Sequence, residues 1–134
     1  EEVSRAPDLA ATLDEARGVV TAGAGVSESS FALLVELARA LGGEVAVTRS
    51  AAEMGLGNPS RVVDIGARRV FPRLYIACGA AGSTAHLAAI SPNARILAIN
   101  IDRIAPIFQV ADYGLIGAVE SVVPRLLAAL GTKP

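Results

Sequence analysis

The stretch at 74–86, LYIACGAAGSTAH, decides how the whole chain is read. Its first five residues are apolar without a break, as expected of a strand buried on both faces of a parallel sheet. Gly79 and Gly82 then permit a tight turn in which backbone can approach a ligand closely. Ser83 and Thr84 place hydroxyls at the start of a helix predicted over 83–89. His86, the only histidine of the chain, falls in the first turns of that helix, where the positive end of a helix dipole lowers a histidine's pKa. Two uses fit these residues: a cradle for a phosphate-bearing ligand, or a plain turn in an apolar core.

Working outward, the same strand-turn-helix order repeats. GVVTA at 18–22 is a short apolar run closed by Gly23 and Gly25. Phe31, Leu34, Leu37, Ala38 and Leu41 then recur at helical spacing, with Ser27 or Ser29 to cap the start and Gly42 and Gly43 to stop it. EVAVT at 44–48 predicts a second strand and 50–54 a helical turn; Pro59 breaks the chain, and 62–65 predicts a short third strand before Gly66. Beyond the fourth strand at 74–78, RILAINI at 95–101 predicts a fifth, the apolar YGLI follows at 113–116, and a last helix is expected from about 118 to 130. Pro124 should mark the first turn of that helix or a kink.

Strands alternating with helices, and strands apolar throughout, imply an α/β fold: doubly wound, with a mostly parallel sheet and helices on both faces. Such sheets bind ligands beyond the carboxyl ends of their strands. Residues 23–27, 48–50, 79–86 and 100–102 all lie on that edge, so all four segments can face one crevice.

With 134 residues, 52% of them hydrophobic, the chain suits one compact domain. The polar stretch 1–16, broken by Pro7, reads as a linker from a missing preceding domain, and 17–134 as the domain itself. The 12 basic and 13 acidic side chains are intermixed, which leaves no electrostatic footprint for nucleic acid or an anionic membrane. No apolar run approaches the roughly 18 residues that span a bilayer, so no membrane insertion is expected, and Glu1-Glu2 is the wrong charge for a signal peptide. Cys78 is the only cysteine, which excludes an intrachain disulfide and multi-cysteine metal sites and suits a reducing, cytoplasmic setting. Ending an apolar strand, it reads as packing rather than as a reactive thiol.

GAGVSE at 23–28 approaches the dinucleotide pattern G-x-G-x-x-G, but Glu28 replaces the third glycine and would repel a pyrophosphate at that helix start. GAAGST at 79–84 is better suited to an anion, because two glycines and two hydroxyl residues stand beside free N–H groups. No lysine follows it as in a Walker A loop, so an NTPase reading has little support. Asp102 and Asp112 flank RIAPIFQVA ten residues apart, a spacing that makes no acid-base pair. No nucleophile and base stand together, and nothing identifies a bond-making reaction.

Three segments together, APIFQVADYG at 105–114, INID at 99–102 and LYIACGAAGSTAH, resemble the alpha subunit of electron transfer flavoprotein. The resemblance runs from about Arg17 to Leu130 and covers the family's C-terminal FAD-binding domain, a Rossmann-like nucleotide-binding fold. It implies FAD as cofactor, a beta subunit as partner, and an electron carrier rather than an enzyme, one that accepts electrons from dehydrogenases and passes them to a downstream acceptor.

It also implies a site. Thr48 and Arg49 stand where the family has serine before arginine, and Gly79, Gly82 and Ser83 keep the backbone cradle. His86 is expected near the flavin pyrimidine, where a donor stabilises negative charge. Thr48, Gly82, Ser83 and Asn100 are expected to serve the phosphates and adenosine. The chain departs from the pattern at several places: Ala24 replaces an arginine over the flavin, and RVVDIG at 61–66 replaces a polar flavin loop and keeps only Asp64. Ala81 and Ala85 replace a phosphate-binding serine and a glutamine, and Ala118 replaces an aspartate. These losses leave an alternative, a degenerate flavin site acting as a structural subunit or binding a smaller nucleotide such as AMP.

Overall fold

The computed structural model describes residues 13–131. Five strands form one all-parallel sheet: β1 (Gly18–Ala22), β2 (Glu44–Val47), β3 (Leu74–Cys78), β4 (Arg95–Asn100) and β5 (Tyr113–Ile116), in the spatial order β2-β1-β3-β4-β5. The order reverses between β1 and β3, the place where an open α/β sheet leaves a crevice at its carboxyl edge.

Strand alternation sends side chains to two separate cores. Val20, Ala22, Ile76, Cys78 and Ile99 face one side, where they meet Leu34 and Leu37 of helix α1 (Glu28–Ala40) and Val123 and Leu127 of a second long helix, Val119–Ala129. Val19, Tyr75, Ala77 and Ala98 face the other side, against Leu13, Val63, Val70, Ile90 and Ile107. That second face is covered by loops and short helical pieces, so the two outer layers are unequal. Helix α1 starts as its sequence implies: Ser27 Oγ accepts the Ser30 N–H at 3.1 Å. At its end Gly42 adopts φ 68° and the Gly43 N–H reaches the Ala38 carbonyl at 2.8 Å.

The structure corrects several boundaries. The short third strand expected at 62–65 is reduced to two isolated parallel bridges, Val62 to Val47 and Val63 to Arg68. Asp64 ends it, because its Oδ2 accepts the Gly66 N–H at 2.9 Å and its carbonyl accepts the Ala67 N–H, turning the chain back. Helix α2, Arg49–Glu53, begins one residue earlier than expected. The helix expected over 83–89 is a single turn, α3 (Thr84–Leu87), since Ala89 and Ile90 close tighter bonds to His86 and Leu87 and the chain then pairs with Val70. The last helix, now α4 (Val119–Ala129), carries Pro124 as its sixth residue, past the first turn. The Glu120 carbonyl that loses its donor there belongs to an exposed residue. Within the stretch read as a linker, Leu13 is fully buried in the second core, whereas 1–12 lie outside the described residues.

At the carboxyl edge the turns after β1 and β3 touch backbone to backbone. A Cβ on Gly23 would stand 2.5 Å from the Ala80 Cα and from the Gly79 carbonyl oxygen. Gly23→Ala is therefore expected to cost roughly 1–3 kcal/mol by overpacking, seen as a lower urea midpoint. An unchanged midpoint would show that the two turns can part freely.

Candidate functional site

Beyond the ends of β1 and β3 lies a crevice of about 340 Å³. It brings together every residue singled out from the sequence: Thr48, Arg49, Gly79, Gly82, Ser83, His86 and Asn100. The four edge segments all contribute to it, with Ala24 and Gly25 from the first turn and Asp102 from the last. Ala105 and Pro106 also line it. A larger groove of about 570 Å³ runs along β2, walled by chain such as Phe31, Val35 and Val45, and contains none of the seven.

The floor of the crevice is the loop after β3. Gly79 and Gly82 adopt φ 65° and 91°, and a Cβ on Gly82 would come within 2.7 Å of the Ile107 Cα. The loop is anchored from outside: the Ile107 N–H donates to the Ala81 carbonyl at 2.8 Å, and Asn100 Nδ2 donates to the Ala80 carbonyl at 3.0 Å. Asn100 Oδ1 accepts the Asp102 N–H at 2.9 Å, so this side chain braces two loops. With its carbonyls held, the loop leaves the N–H groups of Ala80, Ala81, Gly82 and Ser83 without a hydrogen-bond acceptor among the described residues. Such a row of donors is suited to an anion. The single turn of α3 has little macrodipole, so the anion-binding capacity resides in the loop amides rather than in the helix expected from sequence.

Two hydroxyls at the rim serve as helix caps and keep their own protons for donation. Thr48 Oγ1 accepts the Ala51 N–H at 3.2 Å, and Ser83 Oγ accepts the His86 N–H at 3.3 Å. Arg49 Nη2 pairs with Asp64 Oδ2 at 3.0 Å, with side chains 49% and 11% exposed. The Gly66 N–H, more than any other group, holds the Asp64 carboxyl below its ordinary pKa; burial opposes this and Arg49 adds to it. Ala24 lines the crevice where the resemblance called for a cation, so that wall is uncharged.

His86 is 3% exposed, and its Nε2 lies 2.5 Å from the Tyr75 hydroxyl. Its Nδ1 is buried without a partner. Burial lowers the His86 pKa to about 4 despite the opposing pull of the Asp64 charge, so burial rather than a helix dipole is the dominant cause. Burial also pushes the Tyr75 phenol upward and the Cys78 thiol up to about 12, which leaves Cys78 an inert packing group. Sequence reasoning passed over Tyr75, although a tyrosine within an apolar run needs a partner for its hydroxyl. Asp112 and Asp102 are structural: Asp112 Oδ2 accepts the Ile96 N–H at 2.8 Å, and Asp102 Oδ1 accepts the Ile104 N–H at 3.1 Å. Among the described residues no group of three His, Cys, Asp or Glu can hold a metal ion, and no helix is long and apolar enough to cross a membrane.

Comparison with known proteins completes this picture. The family model of the electron transfer flavoprotein FAD-binding domain matches residues 12–91. The chain belongs to this family. It is 46% identical over 118 residues to Protein FixB of Clostridium saccharobutylicum, covering 87% of this chain and 35% of that protein. It is 44% identical over 119 residues to the electron transfer flavoprotein subunit alpha of Paracoccus denitrificans, covering 88% and 39%. The mitochondrial subunit alpha of Arabidopsis thaliana is 44% identical over 123 residues, covering 90% and 34%. The chain thus spans between about a third and two fifths of the length of these curated relatives.

The buried His86 makes stability depend on pH. An unfolded histidine takes up a proton near pH 6.5, whereas the folded one resists until about pH 4. Over that window the unfolded state binds more protons, so stability falls as the pH falls. At pH 4.5 the loss relative to pH 7 is expected to be about 2–3 kcal/mol. Asp64, with its pKa held down, keeps its charge over most of this window and loses its contribution only at lower pH. Urea unfolding at both pH values should show this loss in the wild type and not in His86→Gln; equal losses in both would remove His86 as the cause.

Proposed function

We propose that the chain is the FAD-binding domain of an electron transfer flavoprotein alpha subunit and that the crevice at the β1/β3 switch point holds the FAD. The observation that carries this reading is the row of unpartnered N–H groups from Ala80 to Ser83, set beside a buried imidazole whose Nδ1 lacks a partner. These groups fit a flavin nucleotide: the amides and the left-handed glycines suit a diphosphate, and the imidazole suits a polar edge of the ring. FAD, when bound, supplies the redox couple through which electrons pass from a dehydrogenase to a downstream acceptor.

The chain's own part is binding, orientation and electrostatics. Ser83 and Thr48 offer hydroxyl protons at the rim, and Arg49 brings positive charge that Asp64 partly offsets. Asn100 acts through the Ala80 carbonyl, holding the loop in register for its amides to converge. His86 stays neutral at physiological pH because of its burial, so it contributes hydrogen bonding without a full charge.

A volume of about 340 Å³ stands at the small end of ligand pockets, which run from roughly 300 to 1,000 Å³. In our reading a beta subunit and a preceding domain, joined through the first residues of the chain, complete the wall. A buried, reduced Cys78 fits a cytoplasmic carrier.

The test is the visible spectrum of a complete alpha-beta complex containing this domain. About one FAD per complex is expected; a colourless complex that takes up no FAD on titration would overturn the proposal. The isolated chain is expected to purify with little FAD, and near-stoichiometric yellow protein would contradict the need for a partner wall.

A further inference from the structure

The contact between Tyr75 and His86 has a direction that the surroundings dictate. Tyr75, the second residue of β3, is fully buried, and a buried hydroxyl proton needs an acceptor. His86 Nε2 is in place at 2.5 Å. Thr21 Oγ1 on the neighbouring strand also acts on the Tyr75 hydroxyl as a hydrogen-bonding group, opposing the rise that burial causes, but it lies outside hydrogen-bond geometry and is itself buried without a partner among the described residues. A phenol is the better donor of the two groups and a bare imidazole nitrogen the better acceptor, so the O–H donates to Nε2. In a neutral ring the remaining proton must then sit on Nδ1. The reverse arrangement would turn the phenol proton away from Nε2, where only Thr21 Oγ1 lies and outside hydrogen-bond geometry, and would leave Nδ1 bare.

Burial favours the uncharged form of both partners, lowering the pKa of His86 and raising that of Tyr75, so neither transfers its proton to the other at neutral pH. Asp64 is the charged group that acts on the ring, and it already has the Gly66 N–H and Arg49 as partners. Among the described residues Nδ1 therefore has no group to satisfy it, in a ring that lines the crevice.

We propose that Tyr75 is a positioning residue: by donating to Nε2 it fixes His86 as the Nδ1–H tautomer, which offers a neutral hydrogen-bond donor to an acceptor atom of the ligand in the crevice. The identity of that ligand rests on the flavin reading above; the tautomer does not. Without the phenol, the ring is free to protonate at Nε2 and turn a lone pair, instead of a proton, toward an acceptor.

His86 is the only histidine, so histidine-selective ¹⁵N labelling of the full chain gives a single imidazole. Long-range ¹H–¹⁵N correlation at pH 7 should show Nδ1 protonated and Nε2 bare in the wild type, with the Tyr75 hydroxyl proton coupled to Nε2. Tyr75→Phe should shift the ring toward the Nε2–H form. A wild-type ring protonated at Nε2 would overturn the proposal. So would an Nδ1–H ring with no coupled hydroxyl proton, a result that stands even if the variant fails to fold, and so would a folded variant with an unchanged spectrum.

In the FAD-loaded alpha-beta complex, Tyr75→Phe should lower the flavin midpoint potential while FAD remains bound. An unchanged potential would overturn the donor role toward the ligand. A complex that binds no FAD would overturn the flavin reading and leave the tautomer result intact.

Discussion

The architecture of the site depends on one backbone contact, the meeting of the turns that follow β1 and β3. The Gly23 N–H donates to the Cys78 carbonyl at 2.8 Å and the Gly25 N–H to the Gly79 carbonyl at 3.0 Å. These bonds carry the parallel pairing of the two strands beyond their ends. They also engage the N–H groups of both glycines of the first turn. A side chain at Gly23 cannot be accommodated without separating the turns. The glycines of GAG at 23–25 are therefore explained by close packing, and the partial match to a dinucleotide pattern needs no phosphate.

From that contact the crevice is built in layers. The β3 loop is held below by the first turn and above by the 105–109 segment, whose Ile107 packs in the second core and donates to Ala81. Asn100, at the end of β4, holds Ala80. Each of these bonds takes a carbonyl and leaves the N–H groups of Ala80 to Ser83 to the crevice. At Ala24, Ala81 and Ala85 the chain has methyl groups where the family resemblance implies polar side chains. What persists is backbone geometry, which such substitutions do not remove. A neutral, nearly buried histidine beside this loop adds hydrogen bonding at a point where a charged group would be costly to bury.

Much of this was legible in the sequence, for reasons that differ by element. GVVTA and LYIAC read correctly as strands because a strand buried on both faces must be apolar throughout; RILAINI, expected over 95–101, is a strand to Asn100, and Ser27 and Gly42 gave the limits of α1 because caps obey local geometry. The four edge segments converge as expected, since parallel strands place their carboxyl ends together. The run at 62–65 looked like a strand by composition. It forms only two isolated bridges because Asp64 captures the Gly66 N–H two residues on and turns the chain, a local turn that the more distant Arg49 supports. The length of α3 and the cause of the low His86 pKa were not legible either, because both follow from what packs on the helix and not from its own residues. Tyr75 escaped notice for the same reason: its partner is eleven residues away and on another element.

Amide shifts of the full ¹⁵N-labelled chain, followed during titration with FAD, test the crevice most directly. The largest changes should fall on Ala80, Ala81, Gly82 and Ser83, with smaller ones at Thr48, Arg49, His86 and Asn100, while the groove along β2 stays unperturbed. Changes confined to the groove residues Phe31, Val35 and Val45 would contradict the placement of the flavin nucleotide at the β1/β3 switch point.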